Sequence, residues 1–192
     1  MTGVQTCALP ICSCTGADVA MWSTNARFIN GELEIAGCPA TTLAKEFGTP
    51  LFVVDQDDFV LRTRSWKSAL ESNFGNHAGT VYYAAKAFIS VEVAKWLKEI
   101  GVGIDVCSGG ELSVALTAGF PADRIELHGN NKSEAEISQA IAAGVGTIVA
   151  DSLIELDRIS QIATSNGVTQ KVLLRITPGV EAHTHEFIST AH

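Results

Sequence analysis

From about position 80 onward, two patterns of apolar residues take turns along the chain. Short apolar runs that read as buried strands alternate with stretches in which apolar residues recur at helical spacing. Thr80-Val-Tyr-Tyr-Ala84 is the first such run, and 90–100 after it reads as an amphipathic helix. Gly103–Val106, Arg124–His128, Thr147–Ala150 and Lys171–Ile176 read as further strands. Helices fall between them over 110–118, 133–143 and 153–166. The unit recurs about every 20–25 residues, the signature of βα units that build a parallel sheet. Upstream, Thr41–Phe47 reads as a short helix with Thr41 as N-cap, stopped at Gly48-Thr-Pro50. Leu51–Val54 reads as a strand. Asp55–Phe74 reads as a helix whose Phe59, Leu61, Trp66 and Leu70 form one buried stripe.

Two α/β architectures satisfy this pattern, an open doubly wound sheet and a (βα)8 TIM-type barrel. The regular spacing favours the barrel, as does a polar residue at the C-terminal end of each strand: Lys86, Asp105, His128, Asp151 and Arg175. Barrel enzymes carry their chemistry on that face. About five βα units are visible, so the barrel expected here is incomplete.

Composition sets limits. Hydrophobic residues are 46% and charged residues 18%, an ordinary globular balance, and the net charge of −8 excludes a nucleic-acid backbone as the main partner. No apolar run is long enough for a transmembrane helix. The five cysteines (Cys7, Cys12, Cys14, Cys38 and Cys107) are odd in number and crowded at the start. They read as reduced thiols in a cytoplasmic protein rather than a disulfide framework. Residues 1–12 follow neither period and resemble translated adapter sequence, so they read as a non-native leader; a disordered natural leader is the alternative. A zinc site on Cys7, Cys12 and Cys14 lacks a second ligand pair. Residues 13–55 form a lead-in segment and residues 56–192 a partial barrel domain. The chain stops at His192 after a polar, His-rich stretch and reads as interrupted.

Lys86 directly follows a strand and is flanked by alanines in Tyr83-Ala-Ala-Lys-Ala-Phe88, which leaves room for a flat ligand. A partly desolvated lysine at a sheet rim is a competent Schiff-base nucleophile; a solvated loop lysine is the alternative. Taken by themselves, Asp105 reads as a strand-end polar group that could be a helix N-cap or loop acid, His128 and Asn130 as a hydrogen-bonded structural pair, and Arg175 as the ion-pair partner of a neighbouring strand's carboxylate. His183, His185 and Glu186 share a strand face but lack a third ligand at metal spacing, so no metal is expected. Gly109-Gly110 matches no phosphate-loop fingerprint and reads as a turn leading into a helix, with Glu111 after it.

Five segments, in order, carry a resemblance. They are Gly48-Thr-Pro-Leu-Phe-Val-Val-Asp55, Tyr83-Ala-Ala-Lys-Ala-Phe88, Gly103-Ile-Asp-Val-Cys-Ser-Gly-Gly-Glu-Leu112, His128-Gly-Asn-Asn-Lys-Ser133 and Arg175-Ile-Thr-Pro-Gly-Val-Glu-Ala-His-Thr-His-Glu186. Together, over roughly 21–192, the sequence resembles the alanine-racemase-like, fold-type III pyridoxal-phosphate decarboxylases. The last segment is most like the branch that acts on meso-diaminopimelate. The resemblance implies pyridoxal 5'-phosphate as cofactor, with Lys86 as its lysine and with Asp105, His128, Asn130 and Arg175 around it. It implies decarboxylation of a small amino acid, meso-diaminopimelate, to L-lysine and carbon dioxide by a homodimer, with neither nucleic acid nor membrane as partner. It also implies a lead-in strand that joins a C-terminal β domain, and a family protein roughly twice this length. The phosphate-binding glycines, the carboxylate facing the ring nitrogen and the partner-subunit cysteine would then lie beyond residue 192, and this stretch alone would be inactive. The rivals are a decarboxylase of ornithine, arginine or carboxynorspermidine, a non-catalytic pyridoxal-phosphate homeostasis protein, and a pseudo-enzyme. The retained Lys86 argues against the last.

Overall fold

The computed structural model describes residues 22–75 and 79–176. The expected leader at 1–12 and the His183–Glu186 cluster lie outside the described residues. The chain divides into two compact units, one up to Arg62 and one from Thr63.

In the first unit, β1 (Ala26–Ile29), β2 (Glu32–Ile35) and β3 (Cys38–Pro39) form an antiparallel sheet in that order. The sequence reading did not foresee it, although its signal was present. Asn30 and Gly31 take φ of 52° and 83°, the paired positive values of the two-residue hairpin turn that Asn-Gly favours. Ala36 and Gly37 repeat the conformation at 50° and 78°. Helix α1 (Ala40–Phe47) starts one residue before Thr41, and Pro39 is its cap. Proline suits the helix start, where a backbone N–H has no helical partner. Thr41 is therefore inside the helix, where its hydroxyl donates to Glu32.

The strand expected at Leu51–Val54 is not formed. These residues pair with no strand among the described residues and stand 40–96% exposed. Asp55 caps α2 (Gln56–Phe74) rather than opening it. Its Oδ1 accepts from the Asp57 and Asp58 amides at 3.0 and 3.3 Å, and its other oxygen from Asn25 at 3.0 Å and from the Ser23 hydroxyl. Burial pushes this carboxyl up, but the bonds from Ser23, the Asp58 amide and Asn25 outweigh it and hold it below the usual range. The expected buried stripe on α2 is absent: no side chain of this helix is buried, and Leu61 and Trp66 are 56% and 71% exposed. Phe59, Trp66 and Leu70 recur at helical spacing on one face, where Phe59 and Leu70 are half-buried; Leu61, two residues on from Phe59, falls on another face.

The second unit is a five-stranded parallel sheet of β4 (Tyr82–Ala84), β5 (Gly103–Val106), β6 (Ile125–Leu127), β7 (Thr147–Ala150) and β8 (Val172–Leu174), paired in chain order. Between them run α3 (Val91–Ile100), α4 (Gly109–Thr117), α5 (Glu134–Ala143) and α6 (Leu153–Ser165). The order never reverses, so right-handed crossovers put every helix on the same face. That is the barrel arrangement; a doubly wound sheet reverses its order to cover both faces. The strand and helix reading of the sequence holds here to within one or two residues at each end.

Alternation sorts the side chains. Ile104, Val106, Ile125, Leu127 and Ile148 are fully buried, as are Leu97, Leu112, Ile137 and Ile159 of the helices. Each such side chain contributes roughly 1.5–3 kcal/mol by leaving water. The intervening positions Gly103, Asp105, Glu126, Thr147 and Val149 share the opposite face, as the strand registers require.

A repeated Ser-x-x-Glu starts three of the helices. Ser108, Ser133 and Ser152 cap α4, α5 and α6 by accepting from the amides of Glu111, Glu136 and Glu155. The glutamates reach back to other backbone N–H groups. Glu111 accepts from Cys107 at 2.7 Å, Glu155 from Asp151 at 2.8 Å, and Glu136 from Ser133 and Gly109, both at 2.9 Å. Those backbone bonds from Ser133 and Gly109 hold the Glu136 carboxyl below its ordinary value near 4.5. A lowered folded value stabilises above the unfolded one, and the gain is lost as pH falls through the folded value. Glu136→Gln should therefore lower stability at neutral pH by about 0.5–1 kcal/mol, modestly because solvent screens the group. Thermal melts against pH should show the gap to the parent closing on acidification below the ordinary glutamate range. A gap that stays constant would refute the assignment.

Candidate active site

Lys86 lies at the C-terminal end of β4 in a single 3-10 turn, Ala85–Ala87. The turn is pinned from both sides: Ala85 is 2% exposed beneath it, and the Tyr83 hydroxyl donates to the Phe88 carbonyl at 2.7 Å. Lys86 itself is exposed. Small neighbours thus leave the amine free above a rigid turn.

Asp105 stands on β5 opposite Ala84 and Glu126, and His128 follows β6. His128 Nδ1 lies 2.5 Å from Asp105 Oδ1, and its Nε2 lies 3.6 Å from Glu126 Oε1. Neutral imidazole has one N–H, and the carboxylate at Nδ1 favours that nitrogen as the donor. The alternative of Asp105 as a helix cap is excluded, since Ser108 caps α4. Nor does His128 pair with Asn130, which is exposed in the loop two residues on. Arg175 realises the ion-pair alternative: its Nη1 donates to Asp151 Oδ1 at 3.2 Å, from the end of β8 to the end of β7. The structure therefore brings Asp105 to His128 and Arg175 to Asp151 as two pairs along one rim.

Glu126 and Cys107 escaped the sequence reading. The signal for Glu126 was an acid inside the apolar run Ile125-Glu-Leu127. Burial pushes its carboxyl above the usual range; Asp105 adds to the rise, while His128 and Lys171 oppose it. Burial likewise raises the Cys107 thiol, helped by the charges of Glu111 and Asp105, while the Lys86 ammonium pulls the other way. Cys107 thus stays a neutral thiol, and both it and the exposed Cys38 are free of disulfides. Among the described residues no cluster of histidine, cysteine and carboxylates could hold a metal ion, and no helix is long and apolar enough to cross a membrane.

A flat, aldehyde-bearing anion fits this rim. It offers an exposed amine on a rigid turn, small residues beside it, a fixed imidazole, and the guanidinium of Arg175. Gly129 takes φ of 120°, a backbone conformation that glycine adopts readily and other residues rarely do; an added Cβ would meet the Cys107 carbonyl only at ordinary contact distance, 3.4 Å.

Comparison with known proteins points the same way. The family model described as "Pyridoxal-dependent decarboxylase, pyridoxal binding domain" matches residues 56–192. Diaminopimelate decarboxylase of Mycobacterium tuberculosis (strain ATCC 25618 / H37Rv) is 58% identical over 162 residues, 84% of this chain and 35% of that protein. Diaminopimelate decarboxylase of Mycobacterium leprae is 55% identical over 173 residues, 90% of this chain and 36% of that protein. The crystal structure of diaminopimelate decarboxylase from M. jannaschii in complex with L-lysine superposes with a TM-score of 0.74 at 33% identity, covering 88% of this chain and 39% of that one. The chain spans about a third of the length of these curated relatives.

Proposed function

Because the chain belongs to the pyridoxal-dependent decarboxylase family, through that family's pyridoxal-binding domain, we propose that the full-length protein decarboxylates meso-diaminopimelate to L-lysine and carbon dioxide. Its barrel would be completed by residues outside this chain. The carrying observation is Lys86: an exposed amine on a pinned turn at the C-terminal end of a parallel strand. The substrate follows from the relatives at 55–58% identity, whose name states it.

Lys86 Nζ would hold pyridoxal 5'-phosphate covalently. When bound, that cofactor supplies a conjugated ring that accepts the electron pair left as carbon dioxide departs. Asp105 would orient the His128 imidazole so that one face of the ring is presented to the cofactor. Glu126, its carboxyl raised by burial, would face the other ring nitrogen of His128 from the floor of the site and help hold that imidazole in place. Asn130 would line the same side from its loop. Arg175, steadied by Asp151, would direct a permanent positive charge at the cofactor's phenolic oxygen. The reading extends to a homodimer, from the family resemblance, and to the cytoplasm, in keeping with free thiols at Cys38 and Cys107.

A side-by-side assay of carbon dioxide release checks the substrate. The value of kcat/KM for meso-diaminopimelate should exceed that for ornithine or arginine by at least about a hundredfold, since a site that pairs a second amino-acid head group rejects analogues lacking it. Preference for ornithine or arginine would move the protein to another branch.

A further inference from the structure

Lys132 and Glu155 face one another inside the rim of the parallel sheet, and the proposed reaction uses neither. Their side chains are 2% and 6% exposed, and Lys132 Nζ lies 2.9 Å from Glu155 Oε2. The same ammonium donates to the carbonyls of Gly129 at 2.5 Å and Val149 at 2.7 Å, so all three of its hydrogens have acceptors. Glu155 Oε2 also accepts from the Asp151 amide at 2.8 Å, and Asp151 in turn accepts from Arg175 at 3.2 Å. From α6, Arg158 Nη1 donates to the Lys132 carbonyl at 3.3 Å. The bonds run without a break from the loop after β6, through the rim, to the ends of β7 and β8.

Stability alone does not account for such a pair. Taking two charges out of water is costly, and well-packed apolar residues of the same volume usually do as well or better. Direction is what an apolar pair cannot supply. Lys132 fixes the Gly129 carbonyl, next to His128, and Glu155 fixes the amide of the residue that holds Arg175. Second-layer bonds of this kind keep site groups within the small tolerances that function requires.

We propose that Lys132 and Glu155 are positioning residues: their buried ion pair locks the strand-end loops bearing His128 and Asp151–Arg175 into one frame. The functional half of this proposal rests on the reading that His128 and Arg175 serve the cofactor; the lock itself does not.

The test uses the full-length protein with Lys132→Met, with Lys132→Met and Glu155→Met together, and with Glu155→Gln. Melting temperature, hydrogen exchange at the Asp151 amide in the cofactor-free protein, and the dissociation constant for pyridoxal 5'-phosphate are measured. Lys132→Met leaves a buried uncompensated carboxylate and should lower the melting temperature by roughly 5–15 °C. The double variant should regain most of that loss. It should nevertheless exchange faster at Asp151 than the parent and bind cofactor about tenfold more weakly. A double variant with parental melting, exchange and affinity would overturn the proposal, because the pair would then be filler. Should the double variant fail to fold, Glu155→Gln decides: faster exchange at Asp151 with unchanged exchange at Ile148 and Val149 supports the lock, and unchanged exchange at all three overturns it. Faster exchange with unchanged cofactor affinity supports the lock and counts instead against placing His128 and Arg175 on the cofactor.

Discussion

Lys86→Ala in the full-length protein is expected to lower turnover by several powers of ten while leaving the melting temperature close to the parent's. The two halves of that expectation have separate causes. Lys86 is exposed and its turn is held by Ala85 and by the Tyr83–Phe88 hydrogen bond, so truncating it removes no buried contact. Turnover depends on a primary amine that can shed its proton and attack a carbonyl carbon, and no neighbouring group on the rim can do this. Asp105 and Glu126 are carboxylates, His128 is an imidazole tied to Asp105, Arg175 is a guanidinium tied to Asp151, and the Lys132 amine is buried against Glu155 with all three hydrogens taken. Lys86→Arg should accordingly be as inactive as Lys86→Ala, although it keeps the charge. Borohydride reduction in the presence of pyridoxal 5'-phosphate, followed by peptide mapping, should find the pyridoxyl group on Lys86 Nζ. A label on another lysine, or a Lys86→Arg enzyme with near-parental turnover, would remove Lys86 from its role.

The largest loss of stability from a small change is expected at Gly146, where β7 is about to begin. A Cβ built there would lie 2.0 Å from the Asp123 carbonyl oxygen and 2.8 Å from its carbon, both backbone atoms. The Gly146 amide meanwhile donates to the Ala122 carbonyl at 2.9 Å, which holds the two segments at that separation. Backbone atoms cannot swing aside as a flexible side chain can, so Gly146→Ala must push apart the turn before β6 and the start of β7. That movement disturbs the ladder between two central strands and should cost roughly 3–5 kcal/mol, at the upper end for overpacking. Gly103→Ala is a useful comparison: its closest clash is with the Tyr82 ring, which can rotate, leaving the Arg124 carbonyl at 3.0 Å as the harder limit. Denaturant melts of the two variants should rank Gly146→Ala as the more damaging. Equal or reversed losses would show that the Asp123 turn yields easily.

Much of the parallel sheet was legible in the chain because its determinants are local. Apolar runs of strand length and helical spacing between them act within one or two turns of backbone. They located β5 and β7 to the residue and the remaining parallel strands and helices to within one or two. The same locality misled at α2, where spacing correctly predicted the helix but not whether anything would pack on its stripe. At Leu51–Val54 it suggested a strand, but a strand also needs a neighbour to pair with. The hairpin at Asn30-Gly31 could have been read, and was missed because the flanking strands are short and mixed in polarity.

By itself, then, the sequence determined the succession of βα units, the placing of a lysine between alanines where a strand ends, and the presence of a polar residue at each strand's C-terminus. These follow from the order of neighbouring residues. Tertiary structure decided which of those polar residues meet. Asp105 and His128 are 23 residues apart in sequence, Asp151 and Arg175 are 24, and Lys132 and the Val149 carbonyl are 17. Only the pairing register of adjacent strands brings each set within bonding distance. It also turned the mid-strand Glu126 toward His128 and buried Lys132 against Glu155. Contacts of that kind depend on how the sheet closes on its neighbours, and one-dimensional periodicity carries no trace of it.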